Sequence, residues 1–327
     1  MASLKEPPVP LVPSEPTSVQ PGGFGFCTRA ELAWGRLRRA YLRRFRPGYV
    51  QRMRERMLGT CPDCCHDIVD ARDLKYFRNV CGYSFKSEDD CFAWRDNVGL
   101  ARAGLAEVLI FSLGFALVTG LAAAAAIWIH WAFWFAVVVL AALWFEVVFF
   151  FRDPRRTIPT DPAALLSPAD GTVTDVGEVD DPVFPGGRAF RISIFLSVFN
   201  VHVNRAPRNG RVVAVRYFRG CFLDARSPDC AKRNEQLWLD LQEDGTGRFL
   251  RVKQVSGAIA RRIVCCLRVG DHVRAGDRFG MIKFGSRTDV LLPIGEPIEV
   301  RVKVGDKVHG GSTVLLRFNS ASRNGQG

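Results

Sequence analysis

Three short stretches of this sequence hold side chains that can make or break covalent bonds. In the run Met281-Ile-Lys-Phe-Gly-Ser-Arg-Thr-Asp-Val-Leu-Leu-Pro293, apolar residues flank a Gly285-Ser286-Arg287 break. That pattern reads as two short strands interrupted where the backbone needs the freedom of glycine. An ordinary tight turn accounts for it. So does chemistry: a bend at Gly285 lets the Ser286 hydroxyl attack the carbonyl just before it, cutting the chain and leaving a new group at residue 286. The second stretch, Ser167-Pro-Ala-Asp170-Gly171, sets a carboxylate at the entry to a strand; taken alone, a simple Asp-Gly turn explains it better. The third, Phe199-Asn-Val-His202-Val-Asn-Arg205-Ala-Pro207, places an imidazole in an apolar stretch and a guanidinium three residues on. A lone histidine of this kind is more often a satisfied structural one.

A fourth cluster carries thiols. Cys61-Pro-Asp-Cys64-Cys65-His66 is followed by Cys81 and Cys91. A Cys-x-x-Cys knuckle with two further thiols, Cys61, Cys64, Cys81 and Cys91, supplies four ligands of the kind structural zinc takes. The second pair is spaced by nine residues rather than two, so the zinc-ribbon pattern is half met, and reduced thiols in a small accessory module are the alternative.

The first three stretches all lie in residues 157–327, where short β-rich runs alternate with Gly, Pro, Asp and Asn. The runs are Thr172–Val176, Arg191–Val198, Arg211–Phe218, Leu237–Leu241, Phe249–Val255, Arg262–Leu267, Phe279–Lys283, Val290–Leu292, Pro297–Val302 and Thr313–Phe318. Strands of this length and spacing make an all-β barrel or sandwich. Val269-Gly-Asp-His-Val273-x-x-Gly276 recurs 35 residues later as Val304-Gly-Asp-Lys-Val308-x-x-Gly311. Each copy sets Gly-Asp at a turn between β segments. The doubled turn is similar to that of lipoyl and biotinyl carrier domains, a barrel-sandwich in two quasi-symmetric halves. His272 and His309 fall at or beside these turns, where solvent exposure is expected.

Upstream, residues 104–151 are almost entirely apolar, with Glu107, His130 and Glu146 as the ionisable exceptions. The stretch is too long for one span and right for two helices of ~20 residues joined by a tight turn near Ile129–Ala132. Arg95 and Arg102 precede the pair and Arg152, Arg155 and Arg156 follow it, so both ends are expected to face the cytoplasm. Before it, residues 24–103 form a basic accessory region. Leu32, Leu37, Tyr41 and Phe45 are placed by helical spacing on one side, and Arg36, Arg38, Arg39, Arg43, Arg44 and Arg46 on the other. Such a stretch suits anionic headgroups, and a solvated helix face explains it nearly as well. Residues 1–23, with six prolines, read as a disordered tail. No secretory signal is expected there, and reduced thiols are the default.

At 327 residues, with a net charge of +12, the chain can build one or two cores and favours an acidic partner, whether nucleic acid or an anionic membrane. The two apolar helices argue against nucleic acid.

Taken in order, Phe150-Phe-Arg-Asp-Pro154, Ser167-Pro-Ala-Asp-Gly171, Ile194-Phe-Leu-Ser197 through Val201-His-Val-Asn-Arg205, Gln254-Val-Ser-Gly257 with Ala260-Arg-Arg262, and Gly280-Met-Ile-Lys-Phe-Gly-Ser-Arg287 resemble the phosphatidylserine decarboxylase family, most closely its short, bacterial and archaeal-type branch. The resemblance covers about residues 104–318. It implies a membrane-anchored, self-processing proenzyme that converts phosphatidylserine to phosphatidylethanolamine and carbon dioxide. Cleavage between Gly285 and Ser286 would leave residues 1–285 and 286–327 as two associated chains, the second capped by a pyruvoyl group derived from Ser286. The pyruvoyl ketone would form a Schiff base with the lipid amine and act as the electron sink for decarboxylation. Asp170 and His202 match the family's acid–base positions, with Asp170 expected to orient the imidazole and His202 to protonate the carbanion. The family's longer branch has a second histidine where this chain has Arg205. Either His202 serves both maturation and catalysis, or another group is the maturation base. Arg205, Arg261 and Arg262 are candidates for the lipid phosphate, against surface ion pairs.

The expected protein is therefore mainly β, with a lipoyl/biotinyl-like catalytic barrel-sandwich at 157–327, a transmembrane hairpin at 104–151 in the cell membrane, and a cysteine-bearing region at 24–103 with a structural zinc in question. The catalytic domain faces the cytoplasm, and a homo-oligomer is left open. A non-enzymatic membrane-anchored adaptor would explain the repeated turns equally, but not Asp170, His202 and Gly285-Ser286 together.

Overall fold

The computed structural model describes residues 12–23, 25–227, 229–258, 262–283 and 285–319. Two units emerge. One comprises residues 1–23, 75–82 and 156–327, and the other residues 24–74 and 83–155. The division differs from the expected one in joining residues 75–82 to the β-rich part and the cysteine-bearing region to the apolar helices.

The helical unit opens with α1 (Phe26–Phe45) and α2 (Pro47–Arg56). Pro47 at the first turn of α2 needs no amide donor there and starts the second helix where the first stops. After a loop region with short 3-10 turns come α3 (Leu105–Trp128) and α4 (Phe133–Phe150), linked by residues 129–132. Both are long and apolar enough to cross a membrane. They pack together and share a hydrogen bond from Trp144 Nε1 to Ser112 Oγ at 2.9 Å. The chain entering α3 is bridged to the chain leaving α4: Leu100 pairs with Arg152, and the Ala101 amide donates to Phe151 O at 2.7 Å. Gly104 sits where a Cβ would come within 2.0 Å of the Phe151 ring, so the ends close up only because that residue is bare.

The other unit is mainly β. Its strands are β1 (Ala164–Leu166), β2 (Gly171–Asp180), β3 (Arg188–Leu196), β4 (Val203–Arg205), β5 (Gly210–Phe218), β6 (Gln236–Glu243) and β7 (Phe249–Ser256). They continue with β8 (Arg262–Cys265), β9 (His272–Val273), β10 (Arg278–Lys283), β11 (Ser286–Pro293), β12 (Ile298–Val300), β13 (Lys307–Val308) and β14 (Val314–Phe318). An eight-stranded sheet runs β13-β2-β3-β11-β7-β6-β5-β9, beside two three-stranded sheets, β4-β10-β8 and β1-β14-β12. One apolar cluster, including Val173, Ile194, Leu239, Val252, Phe279, Ile282 and Val290, joins strands of the sheets into a common core. A short helix, α5 (Cys230–Arg233), precedes β6.

All ten strand runs expected from sequence fall on strands. β1, β4, β9 and β13 were not anticipated, being two or three residues long. The repeated Val-Gly-Asp segments take equivalent positions. Val273 of β9 pairs with Gly210 at the start of β5, and Val308 of β13 with Gly171 at the start of β2. In each turn the Asp side chain accepts an amide hydrogen bond from three residues earlier, Arg268 to Asp271 at 3.1 Å and Lys303 to Asp306 at 2.9 Å. Of the expected tail, residues 1–11 lie outside the described residues. Within 12–23, Ser14 pairs with Tyr217 and the Val19 carbonyl accepts from Cys265 N at 3.0 Å.

Candidate active site

The Gly285-Ser286 junction is where the chain leaves one sheet and enters another. β10 belongs to the sheet with β4 and β8, and β11 to the eight-stranded sheet. The two strands do not pair as the arms of a hairpin turn would. Ser286 is fixed from both sides at once, opposite Leu196 of β3 and Ser256 of β7. Gly285 makes the change of direction at φ +64°, in the left-handed region that L side chains avoid. Open space surrounds its missing Cβ, so conformation rather than crowding demands glycine there.

Ser286 is fully buried, and its Oγ has no hydrogen-bond partner among the described residues. Burying a hydroxyl without a partner costs about 1–3 kcal/mol. A hydroxyl left in this way is available for chemistry beside the Gly285 carbonyl.

His202 reaches the same junction because β4 pairs with β10, Val203 lying opposite Met281, and because the Ile282 amide donates to the His202 carbonyl at 3.3 Å. The Gly285 amide donates to His202 Nε2 at 3.3 Å. Nδ1 lies 2.9 Å from the Asn200 carbonyl, which fixes it as the protonated nitrogen and leaves Nε2 as the basic one. The imidazole is fully buried.

Asp170 does not fill the place expected for it. Its carboxylate accepts from Arg156 Nη2 at 2.7 Å and from the Gly310 amide at 2.8 Å, and the imidazole it meets is His309, through Nδ1 at 3.3 Å. The pairing of β2 with β13 explains this, since Val308 lies opposite Gly171. The Asn200 carbonyl, not Asp170, orients His202. His309 is 63 % exposed at its side chain but is tied to Asp170. His272, at the equivalent turn, is exposed and meets Asp244.

Other residues of the site carry no reactive group. Gly257 follows β7, and a Cβ on it would stand 2.5 Å from the Gly285 oxygen and 3.1 Å from its carbonyl carbon. The Gly285 carbonyl therefore rests against a bare α-carbon. Beneath it, Gln254 Nε2 donates to Asn204 Oδ1 at 2.8 Å and Asn204 Nδ2 to Thr288 Oγ1 at 3.2 Å, a buried ladder joining β7, β4 and β11. Arg287 is locked to Asp289 at 2.6 Å and Ser193 at 2.8 Å. Burial pulls its pKa down, but Asp289 and Cys230 together outweigh this and raise it. The sequence run around Gln254 and Gly257 marked the region without revealing these contacts.

Of the arginines considered for phosphate, Arg205 is buried and donates to the Gly276 carbonyl at 3.0 Å. Arg262 donates to the Gly23 carbonyl, and Arg261 lies outside the described residues. Cys61 and Cys64 form a turn, with the Cys64 amide donating to Cys61 O at 3.1 Å and their sulfurs within 4.8 Å of each other. Cys91 is exposed and Cys81 is buried in the other unit.

A buried serine hydroxyl, the glycine carbonyl before it and an imidazole nitrogen at one junction can carry out an intramolecular acyl shift. Residues 145–316 match the family profile described as phosphatidylserine decarboxylase. The chain is 45% identical over 247 residues to the phosphatidylserine decarboxylase proenzyme of Rhodopirellula baltica, covering 75% of this chain and 99% of that protein. It is 48% identical over 193 residues to the proenzyme of Symbiobacterium thermophilum, covering 59% and 87%. With that of Carboxydothermus hydrogenoformans it shares 47% over 188 residues, covering 57% and 85%.

Proposed function

The chain belongs to the phosphatidylserine decarboxylase family, and from that premise we propose that it is a self-processing proenzyme that turns phosphatidylserine into phosphatidylethanolamine and carbon dioxide. The observation that carries the assignment to Ser286 is its buried, unpartnered Oγ next to a left-handed glycine. The residues fit a pyruvoyl group formed in place, because the Ser286 hydroxyl makes no hydrogen bond among the described residues while the strand beyond it stays paired.

In maturation, Ser286 Oγ adds to the Gly285 carbonyl, the amide C–N bond breaks, and an ester takes its place. His202 Nε2, already at the amide of the preceding residue, accepts the hydroxyl proton. Loss of the ester by elimination frees residues 1–285, ending in the Gly285 carboxylate. The Ser286 remnant, now unsaturated and still carrying its nitrogen, would take up water and release that nitrogen as ammonia, leaving a keto group at the new terminus of residues 286–327. A pyruvoyl carbonyl at that terminus supplies an electron sink for the pair left when carbon dioxide departs. His202 then holds the proton for the substrate's α-carbon. Arg205, Arg261 and Arg262 are offered as ligands for the lipid phosphate on the fit of guanidinium to phosphate.

The paired placement of β9 and β13 supports a lipoyl/biotinyl-like barrel-sandwich at 157–327. The Leu100–Arg152 bridge, bringing the outer ends of α3 and α4 together, supports a transmembrane hairpin at 104–151. Arg155 and Arg156 just beyond it favour the cytoplasmic side for the catalytic domain. The Cys61–Cys64 turn supports a zinc knuckle in the 24–103 accessory region.

Purified protein is expected to run as two chains, the smaller spanning 286–327 with a blocked first residue, and Ser286→Ala as one intact chain without decarboxylase activity. An intact wild-type chain would falsify the reading.

A further inference from the structure

α1 turns its apolar residues outward. Trp34, Leu37, Tyr41 and Phe45 are all exposed, from 51 % for Tyr41 to 67 % for Leu37. Steps of three, four and four residues set them on one stripe of the helix. Leu32, which sequence spacing grouped with them, is half-buried away from the stripe, and Trp34 takes its place. Part of the polar side is covered by the protein itself: Arg38 reaches Asp70 at 3.0 Å and Arg39 reaches Asp73 at 2.8 Å, while Arg43, paired with Asp67, stays half exposed. A helix on a soluble protein buries its apolar stripe; α1 leaves that stripe open and covers Arg38 and Arg39 instead.

Its neighbours indicate what covers the stripe. α1 packs directly on α3, one of the two helices suited to a membrane. Burial lowers the Arg95 pKa while Glu31 of α1 raises it and Arg102, just before α3, lowers it, so these groups lie within electrostatic reach of one another. Glu31 of α1 and Arg102 at the start of α3 thus surround the same Arg95. Arg44 is exposed at the stripe's edge, its guanidinium 5.8 Å from the Phe45 ring, and suits an anionic headgroup while the ring enters the acyl boundary.

We propose that the Trp34–Phe45 stripe of α1 lies in the headgroup layer of the bilayer, as an interfacial helix flanking the spanning pair. This rests on the membrane reading of α3 and α4. The test uses the full chain in vesicles of phosphatidylcholine and phosphatidylglycerol, with photoreactive benzoylphenylalanine replacing Leu37, Tyr41, Arg43 or, within α3, Leu117, one at a time. Lipid adducts several-fold more abundant at positions 37 and 41 than at 43 are expected, alongside strong labelling at 117. Lipid adducts at 117 with none above the position-43 level at 37 and 41 overturn the interfacial placement while leaving the spans intact. Adducts at 37 and 41 to a protein overturn it in favour of a protein partner. No lipid adduct at any position removes the membrane reading and this inference together.

Discussion

At the scale of single residues, the site divides into groups that react and groups that leave room. His202 is the only described side chain bonded to the Gly285 amide, and its tautomer is set by Asn200. His202→Ala is therefore expected to slow self-cleavage by about 10²–10⁴-fold, the usual worth of a positioned general base, followed by the appearance of the 286–327 fragment over time. Unchanged cleavage would move the base elsewhere, with the Asp170–His309 pair next in line. Gly257 makes the opposite kind of contribution. A methyl group there would collide with the Gly285 oxygen, and shifting that carbonyl off its attack line is expected to slow cleavage at least tenfold, about 1.4 kcal/mol of barrier. Time courses on Gly257→Ala check this, with the melting temperature reporting whether the fold has survived. Ser286 and His202 could be singled out as candidates from sequence because hydroxyls and imidazoles advertise chemistry. Gly257 has no functional group to advertise, and its part shows only once the end of β7 lies against the scissile carbonyl. Asp170 misled for a related reason: its type was right, but strand pairing decides which imidazole a carboxylate meets.

At the scale of elements, the junction works because β11 is held on both flanks while the residue before it is held on neither. β7 supplies one flank, and a buried charge cluster supports β7. Arg251, fully buried, bonds Asp240 through Nε at 2.6 Å and Nη2 at 2.9 Å and reaches Asp181 at 3.3 Å, which Lys253 also meets at 3.0 Å. Removing the central cation leaves Asp181 with Lys253 alone and Asp240 with Arg216 alone, the latter at 3.1 Å and more exposed. Arg251→Met is expected to cost about 3–5 kcal/mol, measured by denaturant unfolding in the uncleavable Ser286→Ala background; a loss under 1 kcal/mol would mean that Lys253 and Arg216 suffice. Long strands such as β3 and β7 could be read from alternation and turn residues. The short β4 could not, since three residues carry no periodicity, yet β4 is the strand that delivers His202. The apolar stripe of α1 was half legible: spacing found Leu37, Tyr41 and Phe45, while Leu32 and Trp34 are separated by which side the acidic loop at Asp67, Asp70 and Asp73 covers.

At the scale of the whole molecule, cutting at residue 285 removes a covalent link without removing a structural one. The downstream piece of 42 residues contains β11, inserted between β3 and β7, β13 on the edge beside β2, and β12 and β14 paired to each other with β1 on the far side of β14. It buries Val290, Leu291, Leu292, Val308, Leu315 and Leu316. At roughly 1.5–3 kcal/mol for each fully buried side chain, their gross contribution is on the order of 10 kcal/mol. The cut falls at Gly285, outside both β10 and β11, so the ladder on either side has no reason to open. The two chains of the mature protein are thus expected to co-elute in gel filtration under native conditions and to separate only in denaturant. Cleaved protein should also keep a cooperative unfolding transition near that of uncut Ser286→Ala. If the 286–327 fragment instead washes off a tagged upstream chain in native buffer, the strand insertion does not hold the halves together, and the new terminus at residue 286 would not stay beside His202.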